Sequence, residues 1–199
     1  MLRNTLITKD NIEEIFNELS KEYVKLGGNK ILDFYLVGGA AIVLDFSYRL
    51  STLDIDAFFE DNSILYKAID NVSKKMNLPK DWINKNFVNT PSFSPKLFEK
   101  ATLCFEFNNI IKVYSLHSKY ILAMKIRSSR PTGGDLDDIL MMIYEMRYKN
   151  INLTYEDVLK CYKELYKDFS NTYTYFFEKT KEAFEKPISD FAHFFKKID

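Results

Sequence analysis

Cysteine, histidine, proline and glycine are all scarce in this chain. Its 199 residues include two cysteines, two histidines, five prolines and six glycines. Cys104 and Cys161 lie far apart in the sequence, so we expect neither a disulfide framework nor a cysteine-based zinc site. The shortage of histidine disfavours metal-dependent phosphoester hydrolysis, because the sites of such enzymes usually recruit histidines.

The chain also lacks an excess of charge, since 28 Lys and Arg residues balance 28 Asp and Glu residues. Bulk charge therefore does not indicate binding to nucleic acid or membranes, although a local basic groove is compatible with it. The longest nearly apolar stretch, residues 34–44, is too short to span a bilayer. The sequence opens without the charged start and apolar block of a secretion signal, so we expect a cytoplasmic protein with no membrane association.

The most informative stretch is residues 31–59. Residues 31–37 are almost wholly apolar, which is typical of a strand buried on both faces, and residues 40–46 have the apolar spacing of a short helix. Gly38 and Gly39 therefore lie at a predicted strand-to-helix turn. Such a turn points free backbone N–H groups at an anion, and the missing Cβ atoms let a phosphate come close.

A pair of acids, Asp54 and Asp56, follows in a second predicted strand over residues 53–59. Residues two apart on a strand share a face, with Cα atoms about 6.5 Å apart, and two carboxylates so placed can hold divalent cations and a nucleoside triphosphate. Alone, a Gly-Gly pair is usually a tight turn and an Asp-x-Asp a solvated strand face. The combination favours the functional interpretation, because like charges beside apolar neighbours raise one another's pKa unless a cation or base offsets them.

Strands are concentrated in the first two-thirds of the sequence and helices in the last third, which predicts an α+β fold with a helical C-terminal part. We predict a catalytic domain over residues 1–150 and a helical extension over residues 151–199. The first predicted helix covers residues 9–26, with Thr8 as its cap and Ile12, Ile15, Phe16 and Leu19 buried. Further helices are predicted over 63–76, at Trp82, over 118–127 and over 135–147, and strands over 103–108 and 110–114. Helix is also predicted from Thr154 onward, where Asp157 completes a capping box.

These motifs resemble the nucleotidyltransferase superfamily related to DNA polymerase beta. The closer resemblance is to a small bacterial branch that includes abortive-infection and toxin–antitoxin nucleotidyltransferases. It covers roughly residues 31–142 and rests on three segments in order: Gly38-Gly39 with Arg49, Ser51, Thr52, Asp54 and Asp56; the Asp-Trp-Ile-Asn run at 81–84; and a Lys125-containing helix followed by the acidic helix start at 135–139.

The resemblance implies a nucleotidyltransferase fold, a small mixed sheet flanked by helices. It also implies site roles. Asp54 and Asp56 are the implied metal ligands and catalytic acids, Lys125 the implied triphosphate-binding lysine, and Asp135 the acid that completes the polar centre by orienting Lys125 or assisting the acceptor. Cofactor contacts are implied for Gly38, Gly39, Arg49, Ser51, Thr52 and Lys125.

Several alternatives stay open at this point. Lys125 also fits a surface lysine whose stem packs on apolar neighbours, and Asp135 fits simple charge stabilisation of a helix N-terminus, a role that Asp138 can share. Glu106 is the only acid in its predicted strand and is the candidate for a third metal ligand. The basic residue that often precedes the first acid of the last motif is Gly134 here.

The leading hypothesis is a Mg²⁺-dependent enzyme that transfers an NMP from an NTP to a hydroxyl of RNA such as the 3′ end of tRNA, of a protein, or of a small molecule. The resemblance adds an antitoxin-type partner from a two-gene system. The alternative hypothesis is a catalytically silent relative that binds a nucleotide or a protein.

Overall fold

The strands build one mixed sheet and one small ribbon. The computed structural model describes residues 4–130, 134–168 and 173–191. Its strands are β1 (Ile7–Thr8), β2 (Leu32–Leu36), β3 (Ser51–Thr52), β4 (Ile55–Phe58), β5 (Ile83–Asn84), β6 (Ala101–Phe107) and β7 (Ile111–Leu116). The five-stranded sheet has the order β5-β4-β2-β7-β6, and β1 pairs with β3 in the ribbon.

Strand directions in the large sheet are mixed. The β2–β4 and β6–β7 pairs are antiparallel, whereas β2–β7 and β4–β5 are parallel. Asn108 and Asn109 join β6 to β7 with φ angles of 52° and 54°, as a tight hairpin turn of two left-handed residues requires. The two strands predicted over 103–108 and 110–114 therefore form an antiparallel hairpin.

Seven helices accompany these strands in the described ranges. They are α1 (Ile12–Lys25), α2 (Gly38–Asp45), α3 (Ser63–Met76), α4 (Ser118–Ser128), α5 (Asp135–Tyr148), α6 (Tyr155–Leu165) and α7 (Thr174–Glu185), with short 3₁₀ turns at Asn86–Asn89, Pro95–Lys100 and Ile188–Asp190. The α+β class is therefore confirmed. No helix in the described part of the chain has the length and apolar character needed to cross a bilayer.

Contacts divide the chain into two units. The first comprises the described part of Met1–Leu44 with Arg49–Phe87 and Ala101–Leu116, and the second comprises Asp45–Tyr48, Val88–Lys100 and the described part of His117–Asp199. All the strands belong to the first unit, and α4 to α7 belong to the second. The domains predicted over 1–150 and 151–199 stay a prediction.

One face of the large sheet forms the core of the first unit. Phe34, Ile55 and Ala57 are fully buried on it, and the ring of Phe16 from α1 meets Phe34 edge-on at 5.4 Å. The predicted buried stripe of α1 is confirmed, since its four apolar positions have no exposed surface. Asp56 lies on the opposite face of this sheet, because it alternates with Ile55 and Ala57 along β4.

Two predicted details are wrong. Thr8 does not cap a helix that begins at residue 9, because it pairs with Ser51 in the ribbon and α1 starts at Ile12. Trp82 is not in a helix. Its carbonyl accepts the Ile55 N–H at 2.7 Å, which leads the chain into β5 instead.

The second unit is helical, and α4 packs against both α5 and α6. The capping box at the start of α6 is confirmed, since Thr154 Oγ1 accepts the Asp157 N–H and Asp157 accepts the Thr154 N–H. The prediction of helix from Thr154 onward is confirmed for α6 and α7, but it is wrong at residues 166–168 and at Lys186, where the backbone leaves the helical conformation. Residues 169–172 and 192–199 lie outside the described residues.

Candidate active site

The Gly-Gly turn is the structural centre of the candidate site. Strand β2 ends at Leu36 and α2 begins at Gly38, as predicted. Gly38 has φ +58°, a left-handed conformation that side-chain-bearing residues rarely adopt. The Val37 N–H donates to the Asp56 carbonyl at 2.9 Å, and this bond ties the turn to the acidic strand.

The Asp56 carboxylate lies directly against this turn. A Cβ added at Gly38 would be only 2.9 Å from Asp56 Oδ2, so the absent side chain is what lets the carboxylate approach the backbone. Asp54 and Asp56 are half-buried, whereas Ile55 between them is fully buried. This alternation places both acids on one face, as predicted, and the N-terminal end of α2 favours negative charge beside it.

Two polar residues that precede the acids, Arg49 and Thr52, lie against the second glycine. A Cβ at Gly39 would be 2.9 Å from Thr52 Oγ1 and 3.0 Å from Arg49 Nη2. Strand β3 holds Ser51 and Thr52 in position by pairing with β1. A groove of about 280 Å³ opens here, lined by Leu6, Arg49, Ser51, Thr52, Leu53 and Asp54. The structure thus brings Arg49 and Thr52 to the turn, whereas Ser51 lines the adjoining groove.

Asn84 is a site residue that the sequence reasoning did not assign. It pairs with Asp56 between β5 and β4, and its amide nitrogen donates to Asp54 Oδ2 at 3.2 Å. The signal in the sequence is the Asp-Trp-Ile-Asn run at 81–84, to which the resemblance assigns no role. A neutral amide donor thus accompanies the two acids.

The donor set fits Mg²⁺, which proteins usually hold through one or two carboxylates together with substrate phosphates. The described residues contain no group of three or more His, Cys, Asp or Glu side chains arranged for a metal ion.

Glu106 does not join the acids, which corrects its candidacy as a third ligand. It lies on the edge strand β6, and β2 and β7 separate that strand from β4 by roughly 14 Å at the usual strand spacing.

The predicted lysine and the later acids form a second cluster, within the second unit. Lys125 Nζ lies 2.9 Å from Asp135 Oδ1 and 2.8 Å from Asp138 Oδ2. Lys125 is 8% exposed and Asp135 is fully buried, so the ammonium is held inside rather than at the surface. Asp135 and Asp138 are one turn apart on α5, and this spacing lets both grip the same lysine.

Comparison with known families agrees with this geometry. Residues 11–185 match the family described as nucleotidyltransferase of unknown function, DUF6036. The chain belongs to this family. No curated protein and no solved structure shows significant similarity to this chain.

The Arg130 guanidinium also contacts the buried acid Asp135. Arg130 donates from Nε to Asp135 Oδ2 and from Nη2 to Asp135 Oδ1, each at 3.0 Å. Burial raises the pKa of Asp135, but Arg130 and Lys125 outweigh this and lower the pKa below its ordinary value. Arg130 therefore brings a second positive charge to Asp135, and the sequence reasoning did not assign it.

Glu145 is a further buried acid that the sequence reasoning missed. It is 1% exposed and accepts the backbone N–H groups of Ser47 and Tyr48 at 2.8–3.0 Å. Lys149 provides its counter-charge. The signal was an acid among the apolar residues of α5, next to Tyr144 and Met146. Its contacts fix the segment that immediately precedes Arg49 in the chain.

Proposed function

We propose that the protein is a Mg²⁺-dependent nucleotidyltransferase that transfers an NMP from an NTP to an acceptor hydroxyl. The observation that carries the proposal is the contact between the acidic strand and the glycine turn, with Asp56 Oδ2 at 2.9 Å from the position of a Gly38 Cβ. A carboxylate beside a strand-to-helix turn lets one cation contact both the protein and a triphosphate bound at that turn. Membership of the nucleotidyltransferase family supports this chemistry.

Each group of the first unit has a role in the proposed reaction. Asp54 and Asp56 hold the cation, and Gly38 and Gly39 offer backbone N–H groups to the triphosphate. The Arg49 guanidinium and the hydroxyls nearby bind phosphate oxygens. When bound, Mg²⁺ neutralises charge on the phosphates and lowers the pKa of the acceptor hydroxyl.

In the reaction itself, the acceptor oxygen attacks the α-phosphorus in line. A P–O bond to the acceptor forms, the bond to the β-phosphate bridge breaks, pyrophosphate leaves, and the hydroxyl proton passes to solvent. We propose Lys125 as the cation that offsets triphosphate charge and Asp135 as the acid that orients it. The 2.9 Å ion pair between them supports this assignment, because it holds the ammonium in one position.

The acceptor classes in the proposal are RNA, with the 3′ end of tRNA first, a protein hydroxyl and a small molecule. A cytoplasmic location is part of the proposal, since nucleoside triphosphates are available there. The test incubates the full-length protein with each α-³²P-labelled NTP, Mg²⁺, and separately total RNA, lysate protein or a small-molecule extract. We expect label transfer that is abolished in Asp56→Asn and retained in Asp33→Asn, which alters an exposed acid on the neighbouring strand β2.

A silent relative that binds nucleotide without transferring it is the second candidate. The presence of two acids rather than three at the site favours it. Mg²⁺-dependent NTP binding without label transfer to any acceptor class would select this candidate.

We also propose that the enzyme is the toxin-like component of a two-gene system with an antitoxin-type partner. The support is the sequence resemblance together with Arg130, which restores a basic contact to Asp135 where Gly134 lacks one. Induced expression of the wild-type chain is expected to arrest growth, and Asp56→Asn is expected not to. Equal growth of both strains would contradict the toxin role and leave the transferase proposal to the label-transfer assay.

A further inference from the structure

Strand β5 is only two residues long, yet it places one side chain beside the acids. It runs parallel to β4, with Ile83 opposite Ile55 and Asn84 opposite Asp56. Ile83 is buried like Ile55, so the register puts Asn84 on the face that carries Asp54 and Asp56.

Hydrogen bonds on both sides determine how the Asn84 amide is oriented. The Asn86 backbone N–H donates to Asn84 Oδ1 at 2.9 Å, and only the amide oxygen can accept it. The amide NH₂ group therefore points to the other side, where it donates to Asp54 Oδ2 at 3.2 Å. One oxygen of Asp54 is thereby engaged by a neutral donor.

A buried tryptophan anchors this short strand. Trp82 has no exposed surface, and its indole N–H donates to the Ile69 carbonyl at 3.2 Å. Its carbonyl accepts the Ile55 N–H at 2.7 Å, which continues the pairing with β4 beyond the two-residue ladder. The position of Asn84 is therefore determined by the core of the unit rather than by a surface loop.

We propose that Asn84 is a positioning residue for the divalent cation, and this rests on the proposed function. Its amide holds one Asp54 oxygen and so turns the carboxylate to present the other to the cation. Partners of this kind orient metal ligands in many proteins. A neutral donor suits the position, because a lysine or arginine there would neutralise Asp54 and weaken its attraction for the cation.

The test measures binding of Mn²⁺ to the full-length protein by EPR, with no nucleotide present. We expect Asn84→Ala to weaken Mn²⁺ binding by about 10-fold or more, the usual cost of losing a partner of a metal ligand. Asn84→Gln retains an amide donor and is expected to recover part of the affinity. The matched control is Asn86→Ala, which removes an exposed amide side chain but keeps the backbone N–H that Asn84 accepts.

Fluorescence of Trp82, the only tryptophan of the chain, reports whether the variants keep the fold of the first unit. Wild-type affinity in a folded Asn84→Ala protein would overturn the proposal, as would a loss of affinity in Asn86→Ala equal to that in Asn84→Ala. If the proposed function itself fails, the Mn²⁺ binding experiment gives a different result. In that case the wild-type protein binds no Mn²⁺, or Asp54→Asn and Asp56→Asn bind it as tightly as the wild type.

Discussion

Replacement of Lys125 by methionine tests whether the buried charge cluster stabilises the second unit. Methionine retains a long apolar stem and removes only the ammonium. In the wild-type protein this ammonium contacts Asp135, which has no exposed side-chain surface, and Asp138, whose side chain is 13% exposed. Without it, two carboxylates one helical turn apart are left with less compensating charge.

The magnitude follows from which contacts remain. Removing one partner of a buried ion pair typically costs about 3–5 kcal/mol, because the other charge stays buried and unpaired. Arg130 still contacts both oxygens of Asp135 in the variant, so we expect a loss in unfolding free energy near the lower limit, about 3 kcal/mol. For a chain of this size that corresponds to a fall in Tm of roughly 6–12 °C.

The assay is urea unfolding followed by far-UV circular dichroism, with Trp82 fluorescence recorded in parallel as the signal from the first unit. The control is Lys119→Met, which alters an exposed lysine on the same helix α4 and is expected to change the free energy by less than about 0.5 kcal/mol. If Lys125→Met is as stable as this control, the ion pairs do not stabilise the fold and the argument from burial is wrong.

Three further predictions follow from single contacts. Gly38→Ala is expected to weaken Mn²⁺ binding, because the new Cβ displaces the Asp56 carboxylate. The control is Gly27→Ala, which is also at positive φ but has open space around its Cβ, so it is expected only to lower stability. Equal Mn²⁺ affinity in the two variants would contradict this. Because the pKa of Asp135 is lowered in the folded protein, its carboxylate stabilises the fold fully above the unfolded pKa of about 3.9, and this stabilisation is lost as the pH falls below that value. Asp135→Asn is therefore expected to lose less unfolding free energy than the wild type between about pH 6 and pH 3 in urea titrations. Parallel curves of unfolding free energy against pH for the two proteins would contradict this. Glu145→Gln is expected to lower the unfolding free energy by about 1–3 kcal/mol, because a neutral amide is a weaker acceptor for two backbone N–H groups, and an unchanged urea midpoint would refute this role.

The sequence was sufficient wherever a local pattern and the tertiary environment agree. Helix α3 runs over Ser63–Met76 as predicted, because its apolar stripe is framed by Asn62 as N-cap and Asn77 in the left-handed conformation as C-cap. The glycine turn and the two acids were also found, since strict strand alternation and adjacent glycines are local signals.

The errors arose where a distant segment decided the outcome. Thr8 has the residue type of a helix cap, but pairing with Ser51 gave its backbone a partner in a strand. Trp82 follows a Pro-Lys-Asp sequence that suggests a helix start, yet its indole bonds to Ile69 of α3 and its carbonyl bonds to Ile55 of the sheet. Glu106 was selected as the only acid of its strand, and the strand order, which no local pattern reveals, separates it from the site.

The same limit explains the site residues that were missed. Asn84 and Arg130 matter through their contacts with Asp54 and Asp135, and both contacts depend on tertiary pairing or on the path of the chain between elements. A polar residue beside an unusual motif was the only hint in each case. Sequence reasoning therefore found the acids and Lys125 more readily than the residues that contact them from other parts of the chain.

In the proposed function, Asp54, Asp56 and the Gly38-Gly39 turn together bind a divalent cation and a triphosphate. The most direct measurement is ³¹P electron–nuclear double resonance on Mn²⁺ added with a non-hydrolysable NTP analogue to the full-length protein. We expect a protein-bound Mn²⁺ with coupling to phosphate phosphorus in the wild type, and loss of that species in Asp54→Asn/Asp56→Asn. A wild-type protein that binds no Mn²⁺–nucleotide complex, or a double variant that binds it equally well, would contradict the claim.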